Sequence, residues 1–446
     1  MNRLWIVVAM FLASFGPGRA SETATTRAAP LEHARIVQPT AAVRALVVLF
    51  SGNEGWTPKD ATIADDLADA GAIVIGVDTP QYTATVDAAG QECAYLVADI
   101  ETMSHSLQRA AGASDYHTPV IAGRGAGGAI AMGIAAQSPA DTIAHTVVVD
   151  PDIGIDISTQ LCTKAPRTDV DGQSVYGLSP GPLPDPIDVI LTTGQDANGA
   201  AHIDDLVANG FPIAVDRRAD GAAAFAARLH DLVAEAAPAE ALDLPVTALP
   251  ADGTFDALAI VYSGDGGWRD LDRTIAEIFQ QQGLPTIGVD SLRYFWSRKT
   301  AAQVAADLTR LIDTYVTQWN VQHVLLVGYS FGADILPAAY NALDAAHRDK
   351  VSQITLLGVS SAASDQISVA GWLGSHPADA RPTLPEIARI DPAKIQCVFG
   401  TEEDDTACRS LTGTGAELIE TNGGHHFDGD YPRLAALILE GLRRRL

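Results

Sequence analysis

The chain has 446 residues, 47% of them apolar, and carries 29 Lys and Arg against 55 Asp and Glu, a formal charge of −26. That length exceeds what one hydrophobic core usually supports, so two domains are expected, and the apolar content excludes a disordered chain. A charge of this sign leaves nothing to neutralise a row of phosphates, which excludes nucleic acid as a partner and disfavours non-specific adhesion to anionic lipid.

The chain opens "MNRLWIVVAMFLASFGPGRASE". Arg3 supplies a positive start, Leu4 to Phe15 an apolar run too short to span a bilayer, and the small residue Ala20 a cleavage site. Residues 1–20 are therefore expected to be a cleaved signal peptide, and the mature protein to be exported and soluble. Export changes how the four cysteines read. Cys93 and Cys162 lie in the first half, Cys397 and Cys408 in the second, and an even count in an oxidising compartment favours disulfides 93–162 and 397–408. No Cys-x-x-Cys or His-x-x-x-His spacing appears, so neither a metal nor a cofactor is expected.

Two halves follow one template. "LVVLFSGNEGW" from Leu46 matches "LAIVYSGDGGW" from Leu258, and "AGAIVIGVDTPQY" from Ala70 matches "QGLPTIGVDSLRY" from Gln282. Trp56 and Trp268 are 212 residues apart, as are Asp78 and Asp290, while the Gly-rich turns at Gly123 and Gly328 are 205 apart. Apolar strand-like runs such as "ALVVLF", "AIVIGVD", "HVLLVGYS" and "ITLLGVS" alternate with amphipathic helical stretches. That alternation predicts a parallel sheet covered on both faces. The expected architecture is α/β, two tandem domains over 21–240 and 241–446, with the seam in the Pro- and Ala-rich stretch 237–256.

In the second half "VLLVGYSFGADILPAAY" places Gly328-Tyr329-Ser330-Phe331-Gly332 between a strand and a helix. A Ser on such a turn projects above the strand ends, and the flanking glycines avoid steric conflict there. Ser330 is thus the candidate nucleophile. A base and an acid should follow in the order Ser, acid, His. The acidic loop in "IQCVFGTEEDDTACRS" offers Glu403, Asp404 and Asp405, of which Asp405 is preferred. "ELIETNGGHHFDGDY" offers His425 and His426, of which His425, directly after the glycines, is preferred. The oxyanion donors expected are the amide of Phe331 and one from the "SGDGGW" turn, with Asp265, Gly266 and Gly267 as candidates. The first half carries Gly125 in place of the Ser, and "IAVDRRADG" where the second half has Gly-Gly-His-His. His202 lies nearby but has no nucleophile to activate. The first domain is expected to be degenerate and silent, the second catalytic.

The motifs "SGDGGW", "GVDSLRYFW", "GYSFGAD" with Pro337 following, the Cys-flanked acidic loop and "GGHHFDGD" resemble the VirJ/AcvB family of periplasmic bacterial proteins associated with virulence and type IV secretion. The tandem layout resembles the longer AcvB form. The resemblance implies an α/β-hydrolase fold and a Ser-Asp-His triad carried by Ser330, Asp405 and His425. It also implies hydrolysis of aminoacyl-phosphatidylglycerol, lysyl or alanyl, at the outer face of the inner membrane. Asp334 and Asp265 are then candidate partners for the aminoacyl ammonium, and Trp268 and Trp296 candidate substrate contacts. In "SLRYFWSRKT" the aromatics Tyr294, Phe295 and Trp296 beside Arg293, Arg298 and Lys299 either meet lipid and phosphate or pack on the core behind a solvated basic rim. The competing readings are an exported esterase or thioesterase acting on a soluble ester, and a binding partner of a secretion or envelope complex with a vestigial triad.

Overall fold

The computed structural model describes residues 29–193, 197–235, 242, 244–367 and 380–446. The expected signal peptide and the expected boundary at 240 and 241 lie outside the described residues. Two seven-stranded sheets stand one in each half. In the first half the strands are β1 (Arg35–Val37), β2 (Ala45–Phe50), β3 (Ala72–Val77), β4 (Val120–Arg124), β5 (His145–Val149), β6 (Ile187–Thr192) and β7 (Ala214–Arg218). They lie in the order β1-β3-β2-β4-β5-β6-β7. In the second half β8 (Val246–Leu249), β9 (Ala257–Tyr262), β10 (Thr286–Val289), β11 (His323–Tyr329), β12 (Val351–Leu357), β13 (Ile395–Gly400) and β14 (Glu417–Thr421) repeat that order as β8-β10-β9-β11-β12-β13-β14. All neighbours pair in parallel except the edge strands β1 and β8, which run antiparallel to β3 and β10. The sequence predicts a parallel sheet; the antiparallel edge is an addition. Short exposed-edge strands of this kind carry too few residues to show a period.

The central strands are apolar along their whole length because helices cover both faces. Every residue of β2 and of β9 is buried. Helix Ala301–Trp319 shows how one face is closed. Thr300 and Gln303 form a reciprocal cap at its start, Asn320 ends it in the left-handed region, and Val304, Leu308, Leu311, Ile312 and Tyr315 form its buried stripe.

The internal repeat is visible in contacts as well as order. A Cβ on Gly288 would stand 2.2 Å from the Trp268 ring, and one on Gly76 would stand 2.4 Å from the Trp56 ring. Each indole lies flat on the next strand where a glycine leaves room. Ser51 and Ser263 each accept a hydrogen bond from the amide that opens the following helical turn, Thr79 at 3.0 Å and Ser291 at 2.9 Å. Two disulfides, Cys93–Cys162 and Cys397–Cys408, join the cysteines within each half. Among the described residues no helix is long and apolar enough to cross a membrane.

Candidate active site

The site gathers at the carboxyl ends of β9, β11, β12, β13 and β14, where loops of such sheets converge. Ser330 follows β11 and stands at φ 51°, ψ −118°, a conformation that costs a non-glycine residue energy and that the packing around it enforces. Its amide donates to Leu357 O at 2.8 Å, tying the turn to the end of β12. Both glycines of the turn are required by close approach. A Cβ on Gly332 would stand 2.4 Å from Tyr262 O, and one on Gly328 would stand 2.5 Å from Gly332 O. Helix Phe331–Ala342 starts at once, so its first amides and the positive end of its dipole lie beside Ser330.

His425 stands on the loop after β14, beside Gly358 at the end of β12. Its Nδ1 pairs with Glu403 Oε1 at 2.5 Å, and its ring stacks at 5.3 Å from that of Tyr329. Bonding through Nδ1 orients the ring and leaves Nε2 as the nitrogen available to a nucleophile. His426 is exposed and meets the Tyr329 hydroxyl through Nδ1 at 3.2 Å.

The acid against His425 is Glu403, not the Asp405 the sequence favours. Glu403 is buried, its second oxygen accepts from Gly400 N at 2.9 Å, and Arg409 donates to its carbonyl. The turn right after β13 sends position 403 inward and leaves Asp404 and Asp405 exposed. Asp405 instead accepts from Ser361 N at 3.3 Å, on the loop after β12. The Cys397–Cys408 disulfide closes the loop that carries Glu403.

The loop after β9 supplies the opposite wall. A Cβ on Gly264 would come within 3.6 Å of Ser330 Cβ, so Asp265 and Gly266 stand next to the candidate nucleophile. Gly267 N bonds back to Gly264 O at 3.2 Å, fixing the turn. Asp265 and Asp334 add negative charge. Burial pushes the Asp265 carboxyl up, with nearby His425 pulling the other way. Burial likewise pushes Asp334 well above the usual carboxylate range, against the Ser360 amide that donates to it at 2.7 Å, and Asp405 and Asp265 add repulsion.

The two tryptophans expected to touch substrate do not face this cleft. Trp268 is buried on Gly288, and its equivalent Trp56 packs half-buried on Gly76 in the half that lacks the Ser. Trp296 is 1% exposed, and its indole N–H donates to Ala113 O of the first half at 3.0 Å. Tyr294 and Phe295 are also buried, the former bonding Asp307 at 2.6 Å and the latter packing edge-on against Phe331 at 5.0 Å. Arg293 lines cavities at the seam between the halves. Of that run Phe295 and Lys299 stay near, lining with Ile335, Asp334 and Arg381 a narrow cavity beside the Ser330 helix.

The first half keeps the turn and loses the chemistry. Gly125 holds φ 53°, ψ −121°, close to the values of Ser330. Arg124 precedes it, binding Asp60 at 2.8 Å and Glu54 at 2.5 Å, and Asn53 binds Asp152 at 2.7 Å. His202 bonds Tyr176 O at 3.1 Å. Among the described residues no group of three or more His, Cys, Asp or Glu is set to hold a metal ion.

Strand order, the strained turn after the central strand, an acid after β13 and a histidine after β14 define two α/β-hydrolase-like domains in tandem, the second pairing His425 with Glu403 at the end of the sheet that carries the Ser330 turn. Residues 256–446 match the family described as "Bacterial virulence protein (VirJ)". No curated protein matches the chain in sequence. Among solved structures it is similar to Est1E from Butyrivibrio proteoclasticus with bound ferulic acid, at 12% identity over 45% of this chain and 95% of that one, TM-score 0.32. It is similar as well to XC6422 from Xanthomonas campestris, described as an a/b serine hydrolase without lid, at 16% identity over 47% and 97%, TM-score 0.32. A third is the Pyrococcus furiosus esterase Pf2001, at 12% identity over 46% and 93%, TM-score 0.34.

Proposed function

We propose that the protein is an exported serine hydrolase that cleaves the aminoacyl ester of aminoacyl-phosphatidylglycerol at the outer face of the inner membrane, in the periplasm. The observation that carries the hydrolase reading is the strained Ser330 turn on the same sheet end as a His425 whose Nδ1 is held by Glu403 at 2.5 Å. In this reading Ser330 Oγ attacks the ester carbonyl while His425 Nε2 takes its proton, and Glu403 stabilises the imidazolium. The amides of Phe331 and of Asp265 or Gly266 receive the oxyanion. His425 then returns the proton to the lipid glycerol oxygen as it leaves. A water deprotonated by His425 attacks the aminoacyl-Ser330 ester, releasing the amino acid and restoring the hydroxyl.

The substrate class is supported by the VirJ-family match and by charge. Asp265 and Asp334 flank Ser330, and a cation brought between them would draw both carboxyls to their ionised form. An aminoacyl ester presents such an ammonium next to its carbonyl. The two disulfides fit an oxidising compartment. The test is incubation of the purified protein and its Ser330→Ala variant with vesicles of lysyl- and of alanyl-phosphatidylglycerol, followed by thin-layer chromatography. Loss of the aminoacyl lipid with wild type alone is the expected result; hydrolysis of p-nitrophenyl acetate with both lipids untouched would reduce the reading to a soluble-ester esterase.

A further inference from the structure

Helix Leu96–Ala110 belongs to the silent half, yet one stripe of it enters the other half. Glu101, His105 and Arg109 are spaced by four residues and so share a face. Glu101 accepts from Arg269 Nη1 at 2.5 Å. Arg269 follows the turn after β9, and its guanidinium fills the space beside Gly266, where a Cβ would stand 2.8 Å from Nη2. Arg109 donates through Nη1 to Trp296 O and through Nη2 to Ile367 O at 2.5 Å, with its guanidinium carbon 3.6 Å from the Trp296 ring centre. His105 sits between them, its ring 4.8 Å from Tyr116 and 6.2 Å from Trp296; burial pushes its pKa down to about 3, which makes it a neutral packing group.

The loops held in this way are the walls of the Ser330 cleft. Ile367 N donates to Phe295 O at 3.2 Å, and Phe295 packs on Phe331, the residue after the Ser. The same loop after β12 donates from Ser360 to Asp334 and from Ser361 to Asp405. Arg269 backs the opposite wall. One rigid helix thus fixes both sides of a site made of loops, and loops are the segments of a fold that otherwise move most easily.

We propose that Glu101 and Arg109 are positioning residues for the hydrolytic site, so that the half without a nucleophile sets the rate of the half that has one. This rests on Ser330 being the reacting group, and it adds that the alignment of its cleft is supplied from outside its own domain. Displacing a reacting group by about 1 Å costs on the order of 100-fold in rate. Arg109→Ala and Glu101→Gln in the full chain should each lower kcat on p-nitrophenyl acetate about 10-fold or more with KM changed less than about threefold. Both should also slow fluorophosphonate labelling of Ser330 and speed amide exchange in peptides covering 263–269 and 360–367. Arg109→Lys, which can reach one carbonyl in place of two, should recover part of the loss and serves as the second probe if the alanine variant folds poorly. Asp141→Asn breaks another ion pair between the halves, Arg273–Asp141 at 2.8 Å, without removing any bond of Glu101 or Arg109, and should leave kcat and exchange as in wild type. The proposal is overturned if Arg109→Ala and Glu101→Gln keep kcat within about twofold with exchange unchanged, or if Asp141→Asn is equally damaging. Should wild type neither turn over nor label, the hydrolase reading falls, and the exchange arm alone decides whether the helix holds the loops.

Discussion

Gly358 and His425 share one space: a Cβ on the glycine would stand 2.8 Å from the imidazole Cε1. Gly358 directly follows the Leu357 carbonyl that receives the Ser330 amide, so one short backbone stretch sets both the Ser and the room for the His. In the first half Asp150 occupies the corresponding place after β5, with its carboxylate accepting from the Thr192 amide and hydroxyl at 2.7 Å each. Gly358→Ala should therefore cost activity twice over. The methyl pushes the imidazole off its line to Ser330, and a residue at φ +61° adds strain of about 1–2 kcal/mol. The expected result is a fall in kcat of at least about 10-fold with the fold retained. A variant with wild-type turnover and unchanged circular dichroism would show that His425 does not need this space.

Glu403→Gln and Asp405→Asn separate the two acids. Glu403→Gln keeps the size of the side chain and removes the charge that stabilises the imidazolium, and losses at this position in comparable triads reach about 10⁴-fold in kcat. Asp405→Asn should stay within a few-fold, because its carboxylate meets the Ser361 amide and not the His. Steady-state kinetics on a soluble ester at one pH decides between them, and a dead Asp405→Asn beside an active Glu403→Gln would restore the Ser-Asp-His assignment.

The acid illustrates where the sequence stops being readable. Strand order, the Ser turn and the Gly-Gly-His loop are written as local patterns, and the repeat makes each visible twice. Glu403, Asp404 and Asp405 are consecutive, and only the turn after Gly400 determines which of three neighbouring side chains points inward. Trp296 fails to read for a different reason. An aromatic run flanked by Arg and Lys has the composition of a lipid-facing loop, but Ala113 and Arg109, some 180 residues earlier, cover it. No window along the chain holds both partners. Trp268 was decipherable in principle, since its partner Trp56 stands in a half with nothing to bind.

The disulfides should differ in consequence. Cys397–Cys408 spans the loop that presents Glu403, whereas Cys93–Cys162 lies in the silent half. Cys397→Ala/Cys408→Ala is expected to lower kcat about 10-fold or more, because the acid is no longer held at one place. Cys93→Ala/Cys162→Ala should act on the denaturation midpoint, by about 2–5 kcal/mol, and leave kcat near wild type. Equal loss of kcat in the two pairs would argue against a role for the second bridge in placing the acid.

Asp272 makes stability depend on pH. It is buried beneath the β9 loop, where it accepts weakly from Gly264 N at 3.4 Å, and burial raises its pKa well above the usual value. Its counterpart Asp60 is also pushed up by burial, but the bonds from Arg124 and Thr57 outweigh that and hold it low. An acid whose folded pKa is raised keeps a proton that the unfolded chain releases above about pH 4. Its contribution is whole below that pH and is lost as pH rises toward the folded pKa. Asp272→Asn removes this titration. The variant should match wild type near pH 4 and exceed it by about 1 kcal/mol or more at pH 8, measured from urea midpoints. A difference that does not change with pH would mean that Asp272 is ionised in the folded protein.

The silent half offers the sharpest test of what the site requires. Gly125 already holds the backbone conformation of Ser330, so Gly125→Ser would set a hydroxyl on a ready-made turn. What is missing is a base. Asp150 occupies the place of Gly358, the loop after β7 carries no histidine, and His202 is engaged with the Tyr176 carbonyl. An unassisted Ser hydroxyl is a weak nucleophile. Gly125→Ser in a Ser330→Ala background should therefore show no ester hydrolysis above the Ser330→Ala parent, and no fluorophosphonate label on residue 125. The same double variant tests the turn itself: φ +53° costs a serine about 1–2 kcal/mol, so the denaturation midpoint should fall slightly. Turnover in that variant would mean that a base reaches residue 125, with His202→Ala as the next substitution to try.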